Sequence, residues 1–171
     1  MRSRAAINGH PIHPSLIPIP IGLLSWALLS IVVYAFNDSE LWYDMAYWTA
    51  IGGVVTALAA ALPGLVDYFA IARHSDAAGI ATAHMLLNLG VVVLYAIGIA
   101  LQAGDNARDG GRLAAVVAFY ALGGGMLALS GYLGGEMSYR HHLAVVPDDG
   151  EVERAEHRRH DVRPASSPAR R

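Results

Sequence analysis

The chain contains no cysteine and no lysine, and charged residues fill only 15% of its 171 positions. Without cysteine it has no disulfide, no thiolate nucleophile and no cysteine-ligated zinc or iron–sulfur centre of its own. The shortage of charge excludes an ordinary soluble domain, which carries about 25% charged residues. Hydrophobic residues make up 54% of the chain, mean hydropathy is +0.38, and the apolar residues come in long runs instead of alternating with polar ones. These features predict an integral membrane protein. All twelve basic residues are arginine, a compositional bias with no bearing on function, and a net charge of −2 says nothing about partners.

Four segments reach the roughly 20 mostly apolar residues that a bilayer crossing needs. They run from about Ser15 to Phe36, Tyr43 to Val66, Ile80 to Gln102, and Leu113 to Leu133 or a turn beyond. Apart from Asp44 at the edge of the second, no charged residue interrupts them. Tyr34, Phe36, Trp42, Tyr43, Tyr47 and Trp48 gather at one level, and Tyr68, Phe69 and Tyr139 at the other, as aromatic belts do among lipid headgroups. The N-terminal apolar run is too long for a signal-peptide core and reads as the first span.

Arginine placement sets the direction. Arg2, Arg4, Arg73, Arg140 and the tail arginines fall on one side, only Arg108 and Arg112 on the other. The positive-inside rule then makes this a multi-pass protein of the cytoplasmic (inner) membrane with both termini in the cytoplasm. Residues 1–146 form the four-span domain. The tail, residues 147–171, carries six acids, six arginines and two histidines, His157 and His160, with few apolar residues. It cannot bury a core, which predicts a disordered charged segment.

Membrane helices associate through small residues, because lipid tails are as apolar as leucine. Gly53, Ala57 and Ala61, flanked by Ala60 and Gly64, and the pairs Gly124–Ala128 and Gly131–Gly135 are the expected contact surfaces. Pro18 and Pro20 predict a late start to the first helix, and Pro63 a kink in the second. The expected fold is all-α, an integral-membrane antiparallel four-helix bundle.

That topology brings polar groups from every helix to the cytoplasmic level. His10 and His13 precede span one, Asp67 ends span two, His84 lies about one turn inside span three with Asn88 a turn deeper, and Glu136, Arg140, His141 and His142 close span four. The opposite level has no histidine. Three readings stay open. The groups are interfacial hydrogen-bonders and caps, with Asp67 and Glu136 paired to Arg73 and Arg140; or they bind a transition metal through imidazoles and one carboxylate, Asn88 supporting them from behind; or His84 and a second histidine, His13 or His141, hold a b-type haem. No ligand spacing such as His-Glu-x-x-His selects among them. Other chemistries lack support. The glycine triplet Gly123-Gly124-Gly125 has no P-loop lysine, and Ser15, Ser25, Ser30, Ser130 and Ser138 occupy no Gly-x-Ser-x-Gly elbow. The tail's charges cancel, so no nucleic-acid partner is expected. A permeation path would need polar groups at mid-depth, where these spans hold Gly, Ala, Leu, Val and Thr56.

Several of these stretches carry a family resemblance: Gly9-His10-Pro11-Ile12-His13-Pro14 running into Ile17-Pro18-Ile19-Pro20-Ile21-Gly22; Gly64-Leu65-Val66-Asp67-Tyr68; His84 with Asn88; and Gly134-Gly135-Glu136-Met137-Ser138-Tyr139-Arg140-His141. From Ile7 to Val146 the chain resembles a family of small bacterial and archaeal four-helix membrane proteins known only as a transmembrane domain of unknown function. The family pattern has glycine after its last histidine, so His141 is the matching position and His142 a departure. Some relatives are fused to Rieske-type iron–sulfur domains, which implies a redox setting.

The resulting expectation is a cofactor or metal site near the cytoplasmic face, built from His13, Asp67, His84 and His141 with Asn88 beside them, holding haem b or a transition metal for electron transfer. Its partners would be the lipid bilayer, a redox protein and, in a homo-oligomer, further copies of itself. The alternatives are a cofactor-free scaffold or partner subunit and, third, a small transporter. No enzymatic activity is assigned.

Overall fold

The computed structural model describes residues 3–8, 10–71, 76–104 and 108–140. The chain opens with a small antiparallel hairpin, β1 (Ala6–Ile7) and β2 (His10–Pro11), pairing Ala6 with Pro11 and Ile7 with His10. A five-residue helix, α1 (Ile12–Leu16), follows. Then come four long helices: α2 (Pro18–Asn37), α3 (Glu40–Tyr68), α4 (Asp76–Gln102) and α5 (Gly110–Arg140). Each long helix, α2 together with α1, is long and apolar enough to cross a membrane.

The breaks follow local chemistry. Pro18 and Pro20 sit in the first turn of α2, where a missing N–H is harmless because that turn has no intrahelical acceptor to serve. The expected late start is therefore found, with α1 as a separate piece before it. Asp38 ends α2 in the left-handed conformation at φ 52°, its N–H bonded to the Tyr34 carbonyl at 2.9 Å. Only Asp38 and Ser39 separate α2 from α3, so the two helices must run antiparallel as neighbours. Pro63 lies inside α3, which continues through it.

Helix α2 packs along α3 and α4 along α5, and the two pairs close through α3–α4 and α2–α5. Glycines let large side chains in. An added Cβ on Gly53 would lie 2.4 Å from Leu24, one on Gly98 2.3 Å from the Tyr120 ring, and one on Gly123 2.7 Å from the Tyr95 ring. Tyr95 and Tyr120 stack with centroids 4.7 Å apart, each ring lying over the other helix's glycine.

The small-residue expectation holds for Gly53 and Gly124 but not throughout. Ala61 is exposed while Ala60 is buried, and nothing lies within 4 Å of a Cβ added to Gly131 or Gly135. A repeat of four drifts about 40° per step around a helix with 3.6 residues per turn. The stripe thus leaves the interface after one or two steps, and steps of seven and eleven (Gly53, Ala60, Gly64) stay on it. Outward, the bundle shows Trp26, Leu29, Leu58, Leu62, Leu86 and Leu122, a surface suited to hydrocarbon rather than water.

Candidate functional site

Polar side chains collect at both ends of the bundle. The histidine end is built around His13 and His84, whose rings meet edge to face with centroids 6.4 Å apart. His13 comes from α1 and bonds through Nδ1 to the Ala60 carbonyl of α3 at 2.8 Å. The seat for its ring is Gly64, where a Cβ would fall 2.8 Å from Nδ1. Pro63 shares this turn. It offers no N–H to the Ala59 carbonyl and its ring crowds the preceding turn, the situation in which carbonyls of a membrane helix take donors from outside.

His84 stands about two turns inside α4, because the helix starts at Asp76, a turn earlier than its hydropathy suggests. Its Nδ1 lies 2.9 Å from both the carbonyl and the hydroxyl oxygen of Ser130 on α5. Asn88 Nδ2 is 3.1 Å from His84 Nε2 and 2.7 Å from Ser130 Oγ. These contacts set the tautomer. A carbonyl oxygen can only accept, so Nδ1 carries the proton; the Asn88 amide can only donate, so Nε2 presents its lone pair. His13 is fixed the same way by Ala60. Behind His84, a Cβ on Gly134 would lie 3.3 Å from Cε1.

Asp67 does not join the two imidazoles. Its carboxylate accepts hydrogen bonds from Ser3 Oγ (2.9 and 2.8 Å to its two oxygens), Arg4 N (2.8 Å) and Ala5 N (3.1 Å). The carboxylate that the sequence offers as a metal ligand is thus spent on the N-terminal segment folding back over α3. Among the described residues no three His, Asp or Glu side chains are placed to hold one metal ion. Glu136 pairs with Arg140 at 2.8 Å as expected. His10 is exposed on the hairpin, its Nδ1 donating to the Asn8 carbonyl at 3.2 Å. His141, His142, His157, His160 and Arg73 lie outside the described residues.

The other end is organised by Gln102, 3% exposed. Its Nε2 donates to the Tyr43 carbonyl (2.9 Å), its Oε1 accepts from Tyr120 (3.0 Å), and its own carbonyl accepts from Tyr43 Oη (2.6 Å). Tyr95 Oη donates to the Leu24 carbonyl at 2.9 Å. Arg108 pairs with Glu40 and lies over the Tyr43 ring, 4.8 Å from its centroid.

Sequence reasoning singles out His13, His84 and Asn88, which do come together. It misses Ser130, dismissed for lacking a nucleophile's surroundings, and the roles of Gly64 and Gly134 as ring seats. The signal was available: both glycines belong to the stretches that carry the family resemblance, and Ser130 is the one serine inside the fourth apolar run, Leu113 to Leu133. No curated protein and no solved structure matches the chain. Residues 9–147, which contain His13, Asp67, His84, Asn88 and Ser130, match the family described as predicted membrane protein (DUF2231), and the chain belongs to that membrane-protein family.

Proposed function

We propose that the histidine end is a cofactor site for electron transfer, with His13 and His84 as paired imidazole ligands to a haem or transition metal. One observation carries the reading. Both imidazoles tether Nδ1–H to a main-chain carbonyl, Ala60 and Ser130, and so direct the basic Nε2 away from the tether. Ligating histidines are held in this manner, because the outer hydrogen bond fixes the ring and strengthens the other nitrogen as a donor.

The donor set fits haem better than a free divalent ion. Two imidazoles from facing helices are what a haem iron asks of the protein when the macrocycle supplies its remaining ligands, whereas a lone ion needs donors beyond these two. When bound, such a group supplies one-electron exchange. The chain's own residues do the rest: Ser130 and Ala60 orient the rings, Gly64 and Gly134 leave them room, and the exposed leucines outside keep the site in hydrocarbon. His141, next in sequence after α5 and outside the described residues, is the further candidate ligand. The arginine distribution supports a cytoplasmic-membrane location with this end facing the cytoplasm, where a soluble redox protein is the partner to expect.

A cofactor-free scaffold is the second reading. It is favoured by Asn88, whose amide already engages His84 Nε2 and would have to turn aside for a ligand bond. Absorption spectra of detergent-purified protein, oxidised and reduced, with metal analysis, separate the two. A Soret band or a stoichiometric metal supports the site, and neither being present leaves the scaffold. Reporter fusions near Ser39, Asp76 and Asp105 test the orientation.

A further inference from the structure

The two imidazoles are not mounted alike. His84 is carried by a spanning helix and tied to a second one through Ser130 and Asn88. His13 is carried by α1, a five-residue helix with no buried residue, preceded by a hairpin whose Arg4, Ala6, Ile7, Asn8 and His10 are all exposed. Its apolar contact is partial, Ile12 and Leu16 of α1 being half-buried where α1 lies on α3 and α2, and lightly packed segments open at lower free energy than a core. It is internally braced: β1 pairs with β2, Asn8 takes the left-handed conformation at φ 50°, and Ile12 N bonds to the Ala5 carbonyl at 2.9 Å. Bracing of this kind would let it undock as a unit.

Besides this partial packing, hydrogen bonds fasten it at two points. One is the His13–Ala60 bond itself. The other is Asp67, which receives donors from three consecutive residues, Ser3, Arg4 and Ala5. Charge-assisted bonds of this kind are among the stronger ones available outside a packed core.

We infer that residues 3–16 form a strap which Asp67 latches to the end of α3, and that docking of this strap, not movement of a spanning helix, brings His13 to His84. The inference rests on the cofactor-site reading for its purpose and on the latch geometry for its mechanics. Asp67 is then a positioning residue acting through the strap, and Gly64 is the socket that receives the strap's imidazole. Opening the latch leaves His84 in place and removes its partner.

The absence of cysteine makes the test direct, since introduced thiols are the only ones to label. Nitroxides on Ile7→Cys and Tyr139→Cys report the distance from hairpin to bundle; a pair on Phe69→Cys and Tyr139→Cys reports the bundle alone. All three positions are exposed. In the unaltered background the strap pair should give one narrow distance by pulsed electron paramagnetic resonance. Asp67→Ala should lower the docked-to-open ratio about tenfold or more, the size of effect that losing such bonds allows, and broaden the strap distance while the bundle pair stays put. Gly64→Leu should do the same with the latch intact. An unmoved strap distance in both variants overturns the inference, and so does equal broadening of both pairs, which would mean a loosened bundle. No cofactor is added, so a missing Soret band leaves this result standing, and a normal band with an unmoved strap refutes the strap alone.

Discussion

The histidine end and the tyrosine end do similar work on opposite sides of the bundle, yet they are finished differently. Around Gln102 every polar atom named above has found a protein partner, the phenols of Tyr95 and Tyr120 donate to carbonyl oxygens, and both rings are fully buried. A carbonyl cannot take the phenolic proton, so these tyrosines are ill suited to release it on oxidation, and the cluster is a junction. It joins the C-terminus of α4 to the N-terminus of α3 and satisfies a helix-end carbonyl that hydrocarbon would leave stranded. At the histidine end the rings are only half buried, one sits on a lightly held strap, and His13 keeps a lone pair at Nε2 after its tether is made. Saturated networks hold helices together; a network with a basic nitrogen to spare can bind something else.

The comparison can be broken by substitution. Gly98→Ala should be the most damaging change, because its Cβ would lie 2.3 Å from the Tyr120 ring inside a stacked pair. Overpacking of this kind costs about 1–3 kcal/mol, to be read as a lowered midpoint of detergent-induced or thermal unfolding. Gln102→Leu should follow at about 2 kcal/mol, since it leaves the Tyr120 hydroxyl without its acceptor in a buried site. Neither should alter binding at the histidine end. His84→Ala should cost about 1 kcal/mol in stability, in line with hydrogen bonds between membrane helices, yet abolish ligand binding. Arg108→Ala should change stability least, by no more than about 1 kcal/mol, because its ion pair with Glu40 is largely exposed. If His84→Ala proved as destabilising as Gly98→Ala with no loss of binding, the two ends would differ only in composition.

Much of this layout is legible in the sequence. Hydropathy finds all four helices but trims their ends, since it detects the apolar middle while α4 and α5 run on through Asp76 and Arg140. His13, His84 and Asn88 stand out because imidazoles and amides are rare in apolar runs. Asp67 also stands out, but its employment is not legible, because it depends on a hairpin that folds back from residues 3–11. Ser130 and Gln102 escape for a related reason. A lone polar residue near the end of an apolar stretch marks a boundary, and only three-dimensional packing shows that each is the hub of a network. The glycines divide likewise: Gly64 and Gly134 are seats for rings, Gly131 and Gly135 face outward, and spacing alone does not separate them.

The most direct test of the cofactor site is a haemin titration of the detergent-purified protein followed in the Soret region, run beside His13→Ala, His84→Ala and Gln102→Leu. Saturable binding that reaches a fixed stoichiometry, survives Gln102→Leu and is lost in both histidine variants is the result expected here. A titration that shows no saturable binding, or binding that both histidine variants retain in full, would contradict it.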